Sequence, residues 1–242
     1  MSGTVNTASA PEALPELSRL AWEKLLASLN VQDNTAGLAW EGETLPGSGY
    51  LAALPTDDWV LQYEAIQEKL AKRLRKTGHS QTGVFYTPVA AAAYLTNRSL
   101  GQYLTRVEAD LHQCMRDGSL PAAQKILQTV QQLRVIDPAC GTGVFLVEAL
   151  KLLADFYGKI GEKYTQLAFN QPARYAACNQ LYGIDIDPVS VWITRLRLSQ
   201  WVGWLDREIS SPDLDGPQPH LLCGDTLQGQ LFEGVCNWDF IL

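Results

Sequence analysis

Apolar positions recur along this chain first with a helical period and then, beyond residue 132, as short runs that alternate with helical stretches. Trp59, Tyr63, Ile66, Leu70 and Leu74 stand four, three, four and four residues apart, one face of a helix beginning near Asp57. Before it, Leu17, Leu20, Leu25 and Leu29 predict a short helix up to Asn30, preceded by a small, polar and disordered tail over residues 1–15. Residues 31–56, rich in Gly, Pro, Asp and Thr, read as a connector. Gly78 and Gly83 break the second helix, and an Ala-rich helix follows from Val89. Thr87-Pro88 reads as its start, with Thr as N-cap and Pro at the first helical position. Residues 97–132 are amphipathic and helical, interrupted at Asp117-Gly118 and restarting near Pro121.

From there the period changes. Leu133–Asp137 reads as a strand, followed by a glycine turn and an apolar helix from Val144 to Tyr157 that Gly158 ends. Residues 161–179 add helix, broken at Pro172, before a second strand from Leu181 to the acids Asp185 and Asp187. A helix from Val189 to Trp204, a polar loop over 208–219, a third strand from His220 and a fourth over Asn237–Leu242 complete the chain. Strand and helix in alternation predict an α/β class with a parallel sheet. The organisation expected is a tail, short helix and connector (1–56), a helical region (57–132) and an α/β part (133–242).

Composition narrows the function classes. The net charge of −7 means the chain as a whole is not an electrostatic glove for nucleic acid. Lys69, Lys72, Arg73, Arg75 and Lys76 cluster at one helix end, where a solvated face complementing the dipole takes precedence over a phosphate-contacting patch. Five scattered cysteines without a C-x-x-C point to reduced thiols in a cytoplasmic protein rather than a disulfide or zinc framework. Three isolated histidines make no metal pattern, so no metal is expected. The longest apolar stretches are too short for a bilayer, and the N-terminus carries no signal-peptide pattern.

The chemistry concentrates in D-P-A-C-G-T-G-V-F-L, residues 137–146. A strand ending in an acid, a small-residue turn and a helix are how an α/β sheet presents a nucleotide-like ligand. Gly141 and Gly143 permit the sharp turn and close approach of backbone N–H groups. At the end of the second strand Asp185 stands where a doubly wound fold places a carboxylate for a ribose. The 42 residues from Gly143 to Asp185 are about twice the usual spacing, which the helical insertion accounts for. Asp187, before Pro188, suits a plain strand-terminal turn, and Asp225 is placed to accept from an adenine amino group.

Four motifs stand in order: G-V-F-Y-T-P, D-P-A-C-G-T-G-V-F-L, Y-G-I-D-I-D-P and L-L-C-G-D-T-L. Over Tyr63–Leu242 the chain resembles the DNA amino-methyltransferases that make N6-methyladenine, in the gamma motif order. Type I modification subunits and the combined type IIG restriction–modification enzymes share that order. The resemblance implies the first half of a Rossmann-like methyltransferase sheet, four strands in the order 3-2-1-4, after a helical N-terminal region. It implies S-adenosylmethionine as cofactor. Thr87 would hold its methionine end, with Asp137, Ala139, Cys140, Gly141 and Gly143 lining the pocket. Asp185 would take the ribose hydroxyls, Ile186 would pack on adenine, and Asp225 would take the adenine amino group with Thr226 beside it.

One departure matters. In the family, the strand spelled here W-D-F-I-L leads into an Asn-Pro-Pro-aromatic element that accepts hydrogen bonds from the target amino group and stacks on the flipped base. These 242 residues contain no Asn-Pro-Pro, so no catalytic residue is assigned and the stretch is expected to be inactive alone. DNA is the implied partner, through regions mostly outside it. The alternative is a non-catalytic S-adenosylmethionine-binding fragment or subunit that needs a second chain. A nicotinamide dehydrogenase is disfavoured, because Leu146 stands where G-x-G-x-x-G has its third glycine.

Overall fold

The computed structural model describes residues 13–31, 38–40, 43–45, 51, 54, 56–76, 85–202, 219–228 and 237–242. By contact the chain divides into two units, Met1–Tyr86 with Asp187–Val189, and Thr87–Ile186 with Ser190–Leu242.

In the first unit, helix α1 spans Ala13–Ser28 and helix α2 spans Thr56–Lys76. The helix begins inside the stretch expected to be disordered, because Pro15 falls in its first turn, where a missing N–H breaks no intrahelical bond. Residues 1–12 lie outside the described residues. Trp22, which the leucine spacing did not single out, packs edge-on against Trp59 at 6.0 Å and Tyr63 at 6.2 Å, so the two helices meet through aromatic rings. Leu17, Leu25, Trp59, Tyr63 and Leu70 are buried as expected, whereas Leu20 is largely exposed. Between the helices the expected connector contains an antiparallel pair, β1 (Leu38–Trp40) and β2 (Glu43–Leu45), with Leu38 opposite Leu45. Three-residue strands are too short for alternation to stand out in a sequence. The buried Gln67 amide donates to Ser18 Oγ (2.8 Å) and to Asp187 Oδ2 (3.2 Å), and Tyr63 Oη donates to the same carboxylate oxygen (3.3 Å). Burial, then the Asp187 charge, push the Tyr63 phenol well above its ordinary value, which keeps it a donor. The other oxygen, Asp187 Oδ1, accepts from Val189 N at 3.1 Å, so the strand-terminal acid serves as an N-cap before Pro188.

The second unit opens with α3 (Val89–Thr96), a π-helical turn (Asn97–Gly101) and α4 (Gln102–Arg116). Thr87 does not cap α3: Pro88 occupies the N-cap position with φ −57° and ψ 140°, and its carbonyl accepts from Ala91 and Ala92. An extended proline completes the first turn with its own carbonyl, so no side-chain oxygen is needed one residue earlier. The break at Asp117-Gly118 is a left-handed Gly118 (φ +71°), after which α5 runs from Leu120 to Gln131.

Strand β3 (Val135–Asp137) leads into α6 (Val144–Lys163). Gly158 does not end that helix. A glycine costs only about 1 kcal/mol in a helix interior, and Phe156, Tyr157 and Ile160 are all buried around it. The insertion is a 3-10 turn (Thr165–Leu167) and α7 (Pro172–Asn179), fastened by Tyr157, Phe169 and Tyr175. Tyr157 Oη donates to Gln180 Oε1 (3.0 Å), Gln180 Nε2 donates to the Val130 carbonyl (2.6 Å), and the Gln180 carbonyl accepts from Val135 N (2.8 Å). That junction returns the chain beside β3 as β4 (Leu181–Asp185), which α8 (Pro188–Trp201) follows. β5 (His220–Cys223) and β6 (Phe240–Ile241) complete a four-stranded parallel sheet in the order β5-β4-β3-β6, the order expected. Registers pair Asp137 with Gly183 and Asp185 with Cys223, which brings the carboxyl ends of three strands side by side.

Candidate functional site

Those carboxyl ends hold the glycine turn. Cys140 N donates to the Ile184 carbonyl (2.9 Å) and Gly143 N to the Cys140 carbonyl (2.8 Å), folding Pro138–Gly143 over the end of β4. Gly141 (φ +52°) and Gly143 (φ +82°) sit in the left-handed region, a conformation that favours glycine. Gly183 is closely packed, since a Cβ would stand 2.7 Å from Leu146 Cδ1 and 2.8 Å from Leu221 Cδ2 and force those side chains to shift.

Asp137 and Asp185 end β3 and β4, and Asp225 stands two residues beyond β5. Asp137 is buried, and its Oδ1 accepts from Ala139 N at 3.2 Å. Burial raises its carboxyl to about 7; the Ala139 hydrogen bond opposes the rise and the Asp185 charge adds to it. Asp185 Oδ2 accepts from Gly141 N at 2.7 Å, a short bond that ties the second acid directly to the turn. Asp225 Oδ1 accepts from Leu227 N at 2.9 Å, at the start of the 3-10 turn Thr226–Gln228. Thr226 Oγ1 donates to the Pro138 carbonyl at 2.6 Å, so the segment after β5 reaches the glycine turn. Cys140 is buried beneath the turn, where burial and then the Asp185 and Asp137 charges push its thiol well above the ordinary range. The Ile186 carbonyl lies 3.7 Å from Cys223 Sγ, and Thr87 is half-buried two residues before α3.

Two residues that sequence reasoning did not assign a role also reach the turn. Thr194 Oγ1 donates to the Gly141 carbonyl (2.8 Å), and Arg197 Nη1 donates to the Thr142 carbonyl (3.0 Å). Both lie in α8, both are buried, and they are three residues apart, which places them on one helix face. The available signal was an arginine embedded among apolar residues of a helix, a position that demands partners. Among the described residues no group of three or more His, Cys, Asp or Glu could hold a metal ion, and no helix is long and apolar enough to cross a membrane.

Residues 114–204 match the family described as MmeI, DNA-methyltransferase domain. The chain is 24% identical over 199 residues to a protein of Methanocaldococcus jannaschii named as a type II restriction enzyme and methyltransferase, covering 70% of this chain and 16% of that one. It is 27% identical over 150 residues to the type II methyltransferase M.VspI of a Vibrio species, covering 62% of this chain and 25% of the relative. The chain thus spans a quarter or less of these two relatives. In fold it is distantly similar to the DNA-bound ATP-dependent type ISP restriction–modification enzyme LlaBIII (13% identity, TM-score 0.42, 96% of this chain and 15% of that one). A modification subunit of a type I restriction enzyme from Vibrio vulnificus YJ016 is a further neighbour (13% identity, TM-score 0.30, 88% and 48%).

Proposed function

We propose that this chain, similar over residues 114–204 to the DNA-methyltransferase domain of the MmeI family, is the cofactor-binding part of an enzyme that methylates adenine N6 in DNA from S-adenosylmethionine. One observation carries the reading: Asp185, at the end of β4, accepts from Gly141 of the turn that follows β3. A carboxylate and a left-handed glycine turn on adjacent parallel strands are the two halves of a nucleoside site.

The residues present fit such a cofactor. Asp185 accepts from Gly141 N, and a carboxylate's about four lone-pair sites suit the two vicinal hydroxyls of a ribose. Asp225 accepts from Leu227 N, and an acceptor of this kind suits an adenine amino group. Ile186, next to Asp185 in the chain, would offer an apolar side chain for the base, and Thr226 Oγ1 ties the Asp225 turn to the Pro138 carbonyl. Thr87, at the mouth of α3, would meet the methionine end; Ala139, Cys140 and Gly143 would form the floor. Asp137 and Asp185 place acidic groups near a ligand that carries a sulfonium charge. When bound, the cofactor supplies an electrophilic methyl group. This chain's own residues bind and orient it.

Equilibrium dialysis against labelled S-adenosylmethionine, with NADH in a parallel cell, tests the proposal. Retention of the first and not the second is expected; the reverse would assign the turn to a dinucleotide. Labelled methyl transfer to DNA by the longest available form of the protein, followed by nucleoside analysis, tests the adenine N6 assignment.

A further inference from the structure

Three successive peptide planes of the glycine turn are each fixed from outside. The Cys140–Gly141 plane is held at its N–H by Asp185 Oδ2 (2.7 Å). The Gly141–Thr142 plane is held at its carbonyl by Thr194 Oγ1 (2.8 Å). The Thr142–Gly143 plane is held at its carbonyl by Arg197 Nη1 (3.0 Å) and at its N–H by the Cys140 carbonyl (2.8 Å). A trans peptide points its N–H opposite its C=O, so fixing a carbonyl fixes the direction of the amide hydrogen that follows it. Two left-handed glycines give the turn freedom to reorient, and these bonds remove that freedom. The fit is close: a Cβ on Gly143 would stand 2.6 Å from Thr194 Cγ2 and 2.8 Å from its Oγ1.

We propose that Thr194 and Arg197 are positioning residues of the cofactor site: from the helix after the second strand they lock the Gly141 and Thr142 carbonyls, and so pre-set the conformation of the turn for the ligand. This rests on the cofactor reading above. Neither residue is assigned contact with the ligand. Their effect is to lower the ordering cost of binding, because a turn already held in one conformation loses less freedom when the ligand arrives. Arg197 is 6% exposed, so its charge is met by buried acceptors, among them the Thr142 carbonyl.

Calorimetric titration of the 242-residue chain with S-adenosylhomocysteine separates the possibilities when each variant's thermal midpoint is measured alongside. Thr194→Val keeps the side chain's shape and removes the O–H, and about a three- to tenfold loss of affinity is expected, the worth of one neutral hydrogen bond. Thr194→Ser keeps the O–H and loses the methyl group, so affinity should return towards that of the unsubstituted chain even if the midpoint does not. Arg197→Lys, which cannot reproduce the planar guanidinium, should weaken binding as Thr194→Val does. Affinity equal to the unsubstituted chain in Thr194→Val, or losses in all three that simply follow the midpoints, would overturn the assignment while leaving the cofactor reading intact. If Thr194→Val does not fold, Arg197→Lys decides by the same criterion. No binding by the unsubstituted chain would overturn the cofactor reading and this assignment with it.

Discussion

Asp185 holds the glycine turn in the folded chain and has a second duty in the proposed function, and replacing it separates the two. Its Oδ2 accepts from Gly141 N at 2.7 Å within the folded chain, and the proposed ligand adds two ribose hydroxyls. From sequence alone, Asp185→Ala is expected to abolish cofactor binding with little effect on folding. The Gly141 bond revises the second half of that expectation. A hydrogen bond to a charged group is worth about 1.5–3 kcal/mol, so Asp185→Ala should lower unfolding stability by about that much. Asp185→Asn retains a carbonyl oxygen for Gly141 and loses the charge, so its stability cost should be about half as large. On the ligand side, two hydroxyl bonds to a carboxylate amount to roughly 3–6 kcal/mol, which is at least about a hundredfold in affinity for Asp185→Ala; about half that free energy, roughly a tenfold loss or more, is expected for Asp185→Asn. Urea denaturation gives the first quantity and titration with S-adenosylhomocysteine the second. The reasoning fails if Asp185→Ala leaves stability unchanged, or if Asp185→Asn binds as tightly as the unsubstituted chain.

Other positions give independent expectations. Burial holds the Asp137 carboxyl at about 7 against an ordinary 3.8, so between those values the folded chain keeps a proton that the unfolded chain releases. Stability should therefore fall as pH rises from about 4 to about 7 and level off above, by roughly 4 kcal/mol across the window, and Asp137→Asn should remove that slope in urea midpoints taken at several pH values. Gly143→Ala combines a φ of +82° with a Cβ 2.6 Å from Thr194 Cγ2, and should cost about 2–4 kcal/mol in unfolding stability. Gly183→Ala drives a Cβ to 2.7 Å from Leu146 Cδ1 and should cost about 1–3 kcal/mol. Combined with Leu146→Ala it should destabilise less than the sum of the two, and strict additivity in a double-mutant cycle would contradict that contact.

The sheet was legible because β3 and β4 are apolar runs ending in an acid, each followed by a helix long enough to show its period. The placement of the acids was legible for the same reason: a parallel sheet collects its carboxyl ends, which brings Asp137, Asp185 and the Asp225 turn to one edge. Features set by single contacts were not legible. Nothing in a one-dimensional pattern tells whether Thr87 or Pro88 is the N-cap, or that Gly158 is bridged by buried Phe156 and Ile160. The Thr194–Gly141 and Arg197–Thr142 bonds join residues 53 and 55 positions apart, beyond any local period. Residues 203–218 and 229–236, which include the expected loop after α8, lie outside the described residues.

The most direct measurement is a titration of the isotope-labelled chain with S-adenosylhomocysteine, followed by amide resonance shifts. The account predicts saturable shifts centred on Gly141, Thr142 and Gly143, on Asp185 and Ile186, and on Asp225 and Thr226. Saturable shifts centred elsewhere, or none at ligand concentrations that saturate authentic methyltransferases, would contradict it.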